Sequence, residues 1–380
     1  LKKIDNFAHS IENIKIHSNN VGIENNCFDC LCTLKSFNIQ GKQVIIGKEC
    51  FKKCDSLSSF SISDASEIFL DSQLFEECSK LKNLQLKSSS IIRPGLNCLS
   101  NSTGIEKVSL ESKEVYINKG CFFGCSSLVA FQITNCEQIT IMDNAFLGCN
   151  KLASVSLDAL KFTKLGNSCF SECARLQSIN LSTPNVEFGD SCFKQCAALT
   201  SVLFNKYMYS STSRAKNRVN FQIESVTIGK NCFEGCSSLS SFNLSEVGKV
   251  KVDSQAFKDA AALQSVDIAG EKVVIGENCF ENCFNIQEIA GYYSQRDITV
   301  KSNSSVEIGK SCFIGSKYLE KVTFSGGQII FGSDCFNSCS SIKNFTLENF
   351  VYVELGANSL TGCNPSYFTA TPSSKIGFDN

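Results

Sequence analysis

The chain is poor in the groups that most chemistry needs. Only two histidines, His9 and His17, occur in 380 residues, and both fall near the start. A Ser-His-Asp or Cys-His arrangement is therefore confined to one end of the chain. No G-x-x-x-x-G-K-S/T loop and no H-E-x-x-H sequence is present, which removes two common signatures of phosphate binding and zinc hydrolysis. The scattered carboxylates offer no evident acid–base pair. Charge is balanced, 36 Lys and Arg against 37 Asp and Glu, so no strong field gathers nucleic acid or an anionic membrane. No apolar run reaches the length of a membrane-spanning helix. The sequence opens at Leu1 without a Met, an apolar leader or a cleavage site, and reads as a segment of a longer chain.

What is abundant is cysteine, 23 residues, and phenylalanine, 30 residues, and both recur with a fixed period. With one Phe of each repeat set at position zero, the register falls on Asp5, Phe28, Phe51, Phe75, Leu99, Phe122, Phe146, Phe170, Phe193, Phe233, Phe257, Phe280, Phe313, Phe336 and Leu360. The spacing is 23 or 24 residues except from 193 to 233 and from 280 to 313. Position +6 is Leu or Ile from Ile11 to Ile342, and +9 and +11 are apolar between polar neighbours. That alternation predicts a strand with one buried face. A second apolar run, such as Val44-Ile45-Ile46, predicts a second short strand. Position −4 is often Gly, as in Gly47, Gly166, Gly229 and Gly309, or else Asp71, Asn118 or Asp253. These residue types predict a left-handed turn there. The C-F-x-x-C segment that follows predicts about one helical turn. One such unit cannot close a core, so the units must stack. The expected fold is a repeat solenoid, a right-handed superhelix of about 14 units over residues 1–380.

The unit resembles the BspA-like leucine-rich repeats of bacterial surface proteins and of parabasalid and amoebic protists. The resemblance rests on Leu239-Ser240-Ser241-Phe242-Asn243-Leu244 and on Ile228-Gly229-Lys230-Asn231-Cys232-Phe233-Glu234-Gly235-Cys236. Cys rather than Ala before the Phe is similar to the protist branch. The family's Pro after the first strand is mostly missing here. The resemblance implies adhesion or protein–protein interaction at a cell surface, and it implies no catalytic residues.

Cysteines line two ladders, at −1 from Cys27 to Cys335 and at +3 from Cys54 to Cys363. Where a ladder position is not Cys it is usually Ala145, Ala256, Ala260, Ser102, Ser316 or Ser359. The sequence reading is that the site selects small size, with the thiols reduced and buried. Zinc needs four converging ligands, and side chains of a ladder point alongside one another rather than together. No metal or cofactor is expected. Buried free thiols point to a reducing, cytoplasmic setting, against the cell-surface location implied by the resemblance. Cys30 and Cys32, off the ladders, are expected to include an exposed thiol.

Two features suggest a partner. The outward positions of the first strand, +8 and +10, are mostly Ser, Asn, Gln and Thr, which predicts either a solvated sheet or a concave face for protein or glycan. Asn101, Asn180, Asn243, Asn303 and Asn344 begin N-x-S/T sequons, usable only in a secreted chain. The long spacings mark insertions at 205–220 and 290–304, both expected between the two strands and so at one edge. They carry Tyr207, Tyr209, Arg214, Lys216 and Arg218, then Tyr292, Tyr293 and Arg296. Tyr and Arg are favoured at interfaces. The expected function is a non-enzymatic binding module for protein or glycan. An intracellular scaffold in a cytoskeletal or membrane-associated assembly, or the targeting region of a larger enzyme, are the alternatives.

Overall fold

In the computed structural model the structure describes residues 10–210, 217–284 and 296–373. Two compact units are formed, one by residues 1–183 and 203–221 and the other by 184–202 and 222–380. Each is a parallel β-solenoid, and together they make about 14 turns of a leucine-rich-repeat fold. In some coils the two strands are separate, as in Ser36–Gln40 and Gln43–Ile46. In others they fuse into one bent strand of 12 residues, as in Ser59–Leu70, Asn83–Pro94 and Ala130–Ile141. In Ser59–Leu70 and Ala130–Ile141 a left-handed residue, Asp64 or Asn135, stands at the bend.

The strands stack in register. Ser36 lies beside Ser59, and Gln85 beside Ser109, which lies beside Gln132. Inside, the zero-position rings stack face to face. In the first unit Phe122, Phe146 and Phe170 follow one another at 4.8 Å between centroids. In the second, Phe233, Phe257, Phe280 and Phe313 do so at 5.0–5.3 Å. All of these rings are fully buried. Each contributes about 1.5–3 kcal/mol through burial alone.

The expected helical turn is not formed, and the described residues contain no helix. Two left-handed residues per coil replace it, at −2 and +2. Examples are Glu49 and Lys53, Asn144 and Gly148, and Ser168 and Glu172. They fold the segment into consecutive i→i−3 turns, with Lys52 N–H donating to the Glu49 carbonyl (3.3 Å) and Cys54 N–H to that of Phe51 (3.2 Å). The amides that a helix would satisfy internally bond to the next coil instead. Phe28 N–H donates to the Cys50 carbonyl (3.0 Å), and Cys30 N–H to that of Lys52 (2.8 Å). Stacking satisfies the backbone, so no helical closure is needed.

The glycine at −4 also serves another purpose than the one expected. Gly166 has no left-handed φ, but a Cβ there would lie 2.6 Å from the amide nitrogen of Asp143 in the preceding coil. Close approach lets Asn167 N–H donate to Asp143 Oδ1 at 2.8 Å. The same arrangement joins Lys48 to Asn25 and Lys230 to Asp190. The left-handed turns lie two residues further on.

Candidate binding face

The outward side chains of the first strand in the first unit form a face of unusual neutrality. From the coil of Phe28 to that of Phe170, position +8 holds Ser36, Ser59, Asn83, Lys107, Ala130, Ser154 and Ser178. Position +10 holds Asn38, Ser61, Gln85, Ser109, Gln132, Ser156 and Asn180. Lys107 is the single charged residue among these fourteen. The face carries two adjoining depressions of about 360 and 380 Å³, which share Asn83 and Gln85. Ser61 Oγ donates to Asn38 Oδ1 (2.6 Å), and Gln132 Nε2 donates to Ser109 Oγ (2.9 Å). The side chains of Asn83, Gln85 and Ser156 have no hydrogen-bond partner among the described residues and present their donors and acceptors to solvent.

Charge is displaced to the two rims and paired there. On one rim Lys35 meets Glu12 (2.6 Å) and Lys82 meets Glu106 (3.1 Å); on the other Lys87 meets Glu111 (2.8 Å). Each pair joins the same repeat position in consecutive coils, so the two opposite charges of a pair are neighbours along the stack and cancel. Burial raises the carboxyl of Asp158, on the second rim, above its ordinary value, and a hydrogen bond with Ser182 opposes the shift.

The residues expected at the insertions fare differently. Tyr207–Ser210 and Asn217–Asn220 form an antiparallel hairpin in which Tyr209 lies opposite Arg218 and Tyr207 opposite Asn220. It stands between the first strand, Ser201–Phe204, and the second, Ile223–Ile228, as expected. Arg214 and Lys216 lie outside the described residues, as do Tyr292 and Tyr293. The second insertion is placed differently from expectation. Asp297–Ile308 is continuous strand, with Asp297–Val300 beside Ser265–Ile268. Residues 297–304 therefore belong to the coil, and the extra chain precedes the first strand. The two insertions do not enter at one point of the repeat. Arg296 is only 6% exposed; its guanidinium lies 5.4 Å from the ring centroid of Tyr318 and 4.0 Å from Glu320. It is engaged within the coil and does not offer itself to a partner.

His17 shares a shallow depression with Ser18 and Asp64. The Ser18 hydroxyl donates to the Asn20 carbonyl (3.0 Å), and Asp64 accepts from Gln40 (2.6 Å). Neither is hydrogen-bonded to His17, so the three form no proton relay. His9 lies outside the described residues. Sequence reasoning overlooked one exposed feature, on the second-strand sheet. Arg93 stands between Phe69 and Tyr116 of the adjacent coils, 5.8 and 5.2 Å from their ring centroids.

The thiols at +3 also do more than fill small spaces. Nine of the +3 cysteines donate to the carbonyl of the zero-position residue one coil earlier. Cys78 Sγ reaches Phe51 O at 2.9 Å, Cys149 reaches Phe122 O at 3.1 Å and Cys283 reaches Phe257 O at 2.9 Å. Ser102 and Ser316 make the same bond, to Phe75 and Phe280. Only Cys30 and Cys32 are exposed. Burial pushes the Cys50 thiol up to about 11 and that of Cys149 up to about 12.

With this coil geometry established, the comparison with known families is decisive. The model of the BspA-type leucine-rich repeat region matches in six copies, at residues 3–104, 95–216, 204–301 and 291–377. The chain belongs to the BspA-type leucine-rich-repeat family. No curated protein matches the sequence. Among solved structures, a leucine-rich repeat protein from Bacteroides ovatus is 19% identical, over 91% of this chain and 97% of that one, with a TM-score of 0.40. A leucine rich cell surface protein from Faecalibacterium prausnitzii is 17% identical, over 74% and 83%, with a TM-score of 0.29. Such repeats are typically non-catalytic interaction modules. Among the described residues, no helix is long and apolar enough to cross a membrane.

Proposed function

We propose that this BspA-type chain is a recognition module for a protein or glycan partner, and that the first-strand sheet of its first unit is the docking face. One observation carries the reading: a contiguous column of uncharged amides and hydroxyls over six coils, three of them without a hydrogen-bond partner among the described residues, flanked by rims that hold Lys–Glu pairs. A sheet that only needed to stay soluble would gain from charges on this face. The hairpin at 207–220, with Tyr207, Tyr209 and Arg218, is a second docking element in this reading. Arg214 and Lys216, between its two strands in sequence, and Tyr292 and Tyr293 of the other insertion extend the proposal in sequence.

The test is capture from lysate of the source organism by the immobilised chain. A Ser109→Arg/Ser156→Arg variant places two long cations on the face without touching the core. It is expected to lose the captured partner, while an Arg93→Ala variant, on the other sheet, keeps it. Equal capture by both variants overturns the assignment of this face. Deleting 206–220 tests the hairpin, and unchanged capture removes it from the reading.

A further inference from the structure

The chemistry of the face narrows its ligand. The exposed large apolar side chains of the first unit are Ile45, Leu96, Phe123, Val129, Leu160 and Leu203; from the coil of Phe28 to that of Phe170 none is at +8 or +10, and Leu203, at +10 of the Phe193 coil, lies beyond that stretch. Protein interfaces draw most of their affinity from a few aromatic or arginine anchors in desolvated pockets, and this face supplies none. It equally lacks the cationic or anionic clusters that hold a charged polymer. Its offering is amides, which both donate and accept, and hydroxyls, which do the same. Those groups pair best with a ligand that is itself dense in neutral hydroxyls.

The arrangement also repeats. Consecutive coils are about 4.8 Å apart, and the register holds from Ser61 beside Gln85 to Ser156 beside Asn180. A ligand lying along the stack, across the strands, meets an uncharged polar side chain of the +10 column at every step. The cross-coil bonds from Gln132 to Ser109 and from Ser61 to Asn38 hold these four side chains in place. The entropic cost of ordering them has been met before the ligand arrives.

We infer, on the basis of the docking face proposed above, that its ligand is an uncharged polysaccharide lying along the coil stack, bound by hydrogen bonds from Asn83, Gln85, Ser109, Gln132, Ser156 and Asn180. With no ring to stack on a sugar, single-residue affinity is weak, and binding gains with chain length as successive coils engage. The six coils from Ser59 to Asn180 span about 24 Å at the strand spacing, room for several sugar rings.

The experiment is affinity electrophoresis of the whole chain through gels containing mixed-linkage β-glucan, mannan or dextran, with heparin and polygalacturonate as charged comparators. At least one neutral polymer is expected to retard it, short oligomers of that polymer to compete less well than long ones, and Gln85→Ala/Gln132→Ala to weaken retardation about tenfold. Retardation should change less than about twofold between ~50 and ~500 mM salt, because no ion pair forms. Retardation by the charged polymers alone, or a steep salt dependence, overturns the inference. So does the absence of any retardation by neutral polymers. If partner capture is still lost in Ser109→Arg/Ser156→Arg, the docking face survives that failure; if capture is unaffected, both fall together.

Discussion

Replacing Cys149 by serine and by alanine separates two roles for the +3 thiol. Its side chain is fully buried and donates to the Phe122 carbonyl at 3.1 Å. With its thiol pushed up to about 12 by burial, it is a neutral donor at any ordinary pH. If small size alone matters, alanine is the better replacement, because a buried hydroxyl without a partner costs about 1–3 kcal/mol. If the hydrogen bond matters, serine is better, because it keeps a net contribution of roughly 0.5–1.5 kcal/mol that alanine loses. The two readings therefore predict opposite signs. Ser102, whose Oγ reaches the Phe75 carbonyl at 2.6 Å, shows that the coil accommodates the hydroxyl. Urea unfolding followed by far-UV circular dichroism, in reducing buffer, is the assay. Cys149→Ser is expected to be more stable than Cys149→Ala by about 1 kcal/mol, with the denaturant slope unchanged. A variant order reversed by as much refutes the hydrogen-bond role. The converse substitution, Ala260→Cys, adds a donor for the Phe233 carbonyl in the one described coil whose +3 residue is alanine, and is expected to raise the midpoint.

Three further outcomes follow from the packing. Thr163 is 1% exposed, and its hydroxyl has no partner at a position where the neighbouring coil has Ile139; Thr163→Val is expected to stabilise by about 1–3 kcal/mol, read as an increased urea midpoint. Gly166→Ala forces a methyl to 2.6 Å from the Asp143 amide and is expected to destabilise by about 1–3 kcal/mol; Gly166→Asn should be no better, whereas a left-handed site would accept asparagine. The buried thiols have folded-state pKa values raised above the ordinary cysteine range, to about 11 for Cys50 and about 12 for Cys78, Cys136 and Cys149. Their contribution is therefore intact below the unfolded value of about 8.5 and is lost as pH rises, by up to ~1.4 kcal/mol per thiol per pH unit. Thermal unfolding should move to sharply lower temperature between pH 8.5 and 10.5, and a flat profile over that window would show that these thiols are not buried.

Much of this fold is legible because stacking converts one residue choice into a ladder. The Phe at zero and the apolar +9 and +11 recur often enough that chance is excluded, and the strands lie where the alternation put them. What the pattern could not show is which direction the backbone bonds take. The C-F-x-x-C spacing suits a helical turn and equally suits two back-to-back turns, and only the partner carbonyls of the next coil, such as Cys50 for Phe28 and Lys52 for Cys30, decide between them. Glycine at −4 was misread for the same reason, since its demand comes from the neighbouring coil and not from its own φ. The second insertion was shifted because Ile286 and Ile289 sit six and nine residues after Phe280 and imitate the repeat, while Ile298 and Val300 occupy the core positions.

The face itself was half visible. Its small polar residues can be read directly, but their significance depends on where the charges went, and that requires knowing which repeat positions share a side. Read by position, Lys35, Lys82 and Glu106 fall at +7, and Lys87 and Glu111 at +12, flanking the neutral +8 and +10 rows. Along −6, Ile45, Phe69, Arg93 and Tyr116 line up on the second sheet, a stack that the linear sequence hides. In a solenoid a surface is a set of columns, one per repeat position, and side chains 23 residues apart are closer neighbours than those five apart. Selection on a binding face therefore acts on a column rather than on a motif. The nearly uncharged columns at +8 and +10, set between columns that hold paired Lys and Glu, carry the case for binding more firmly than either insertion.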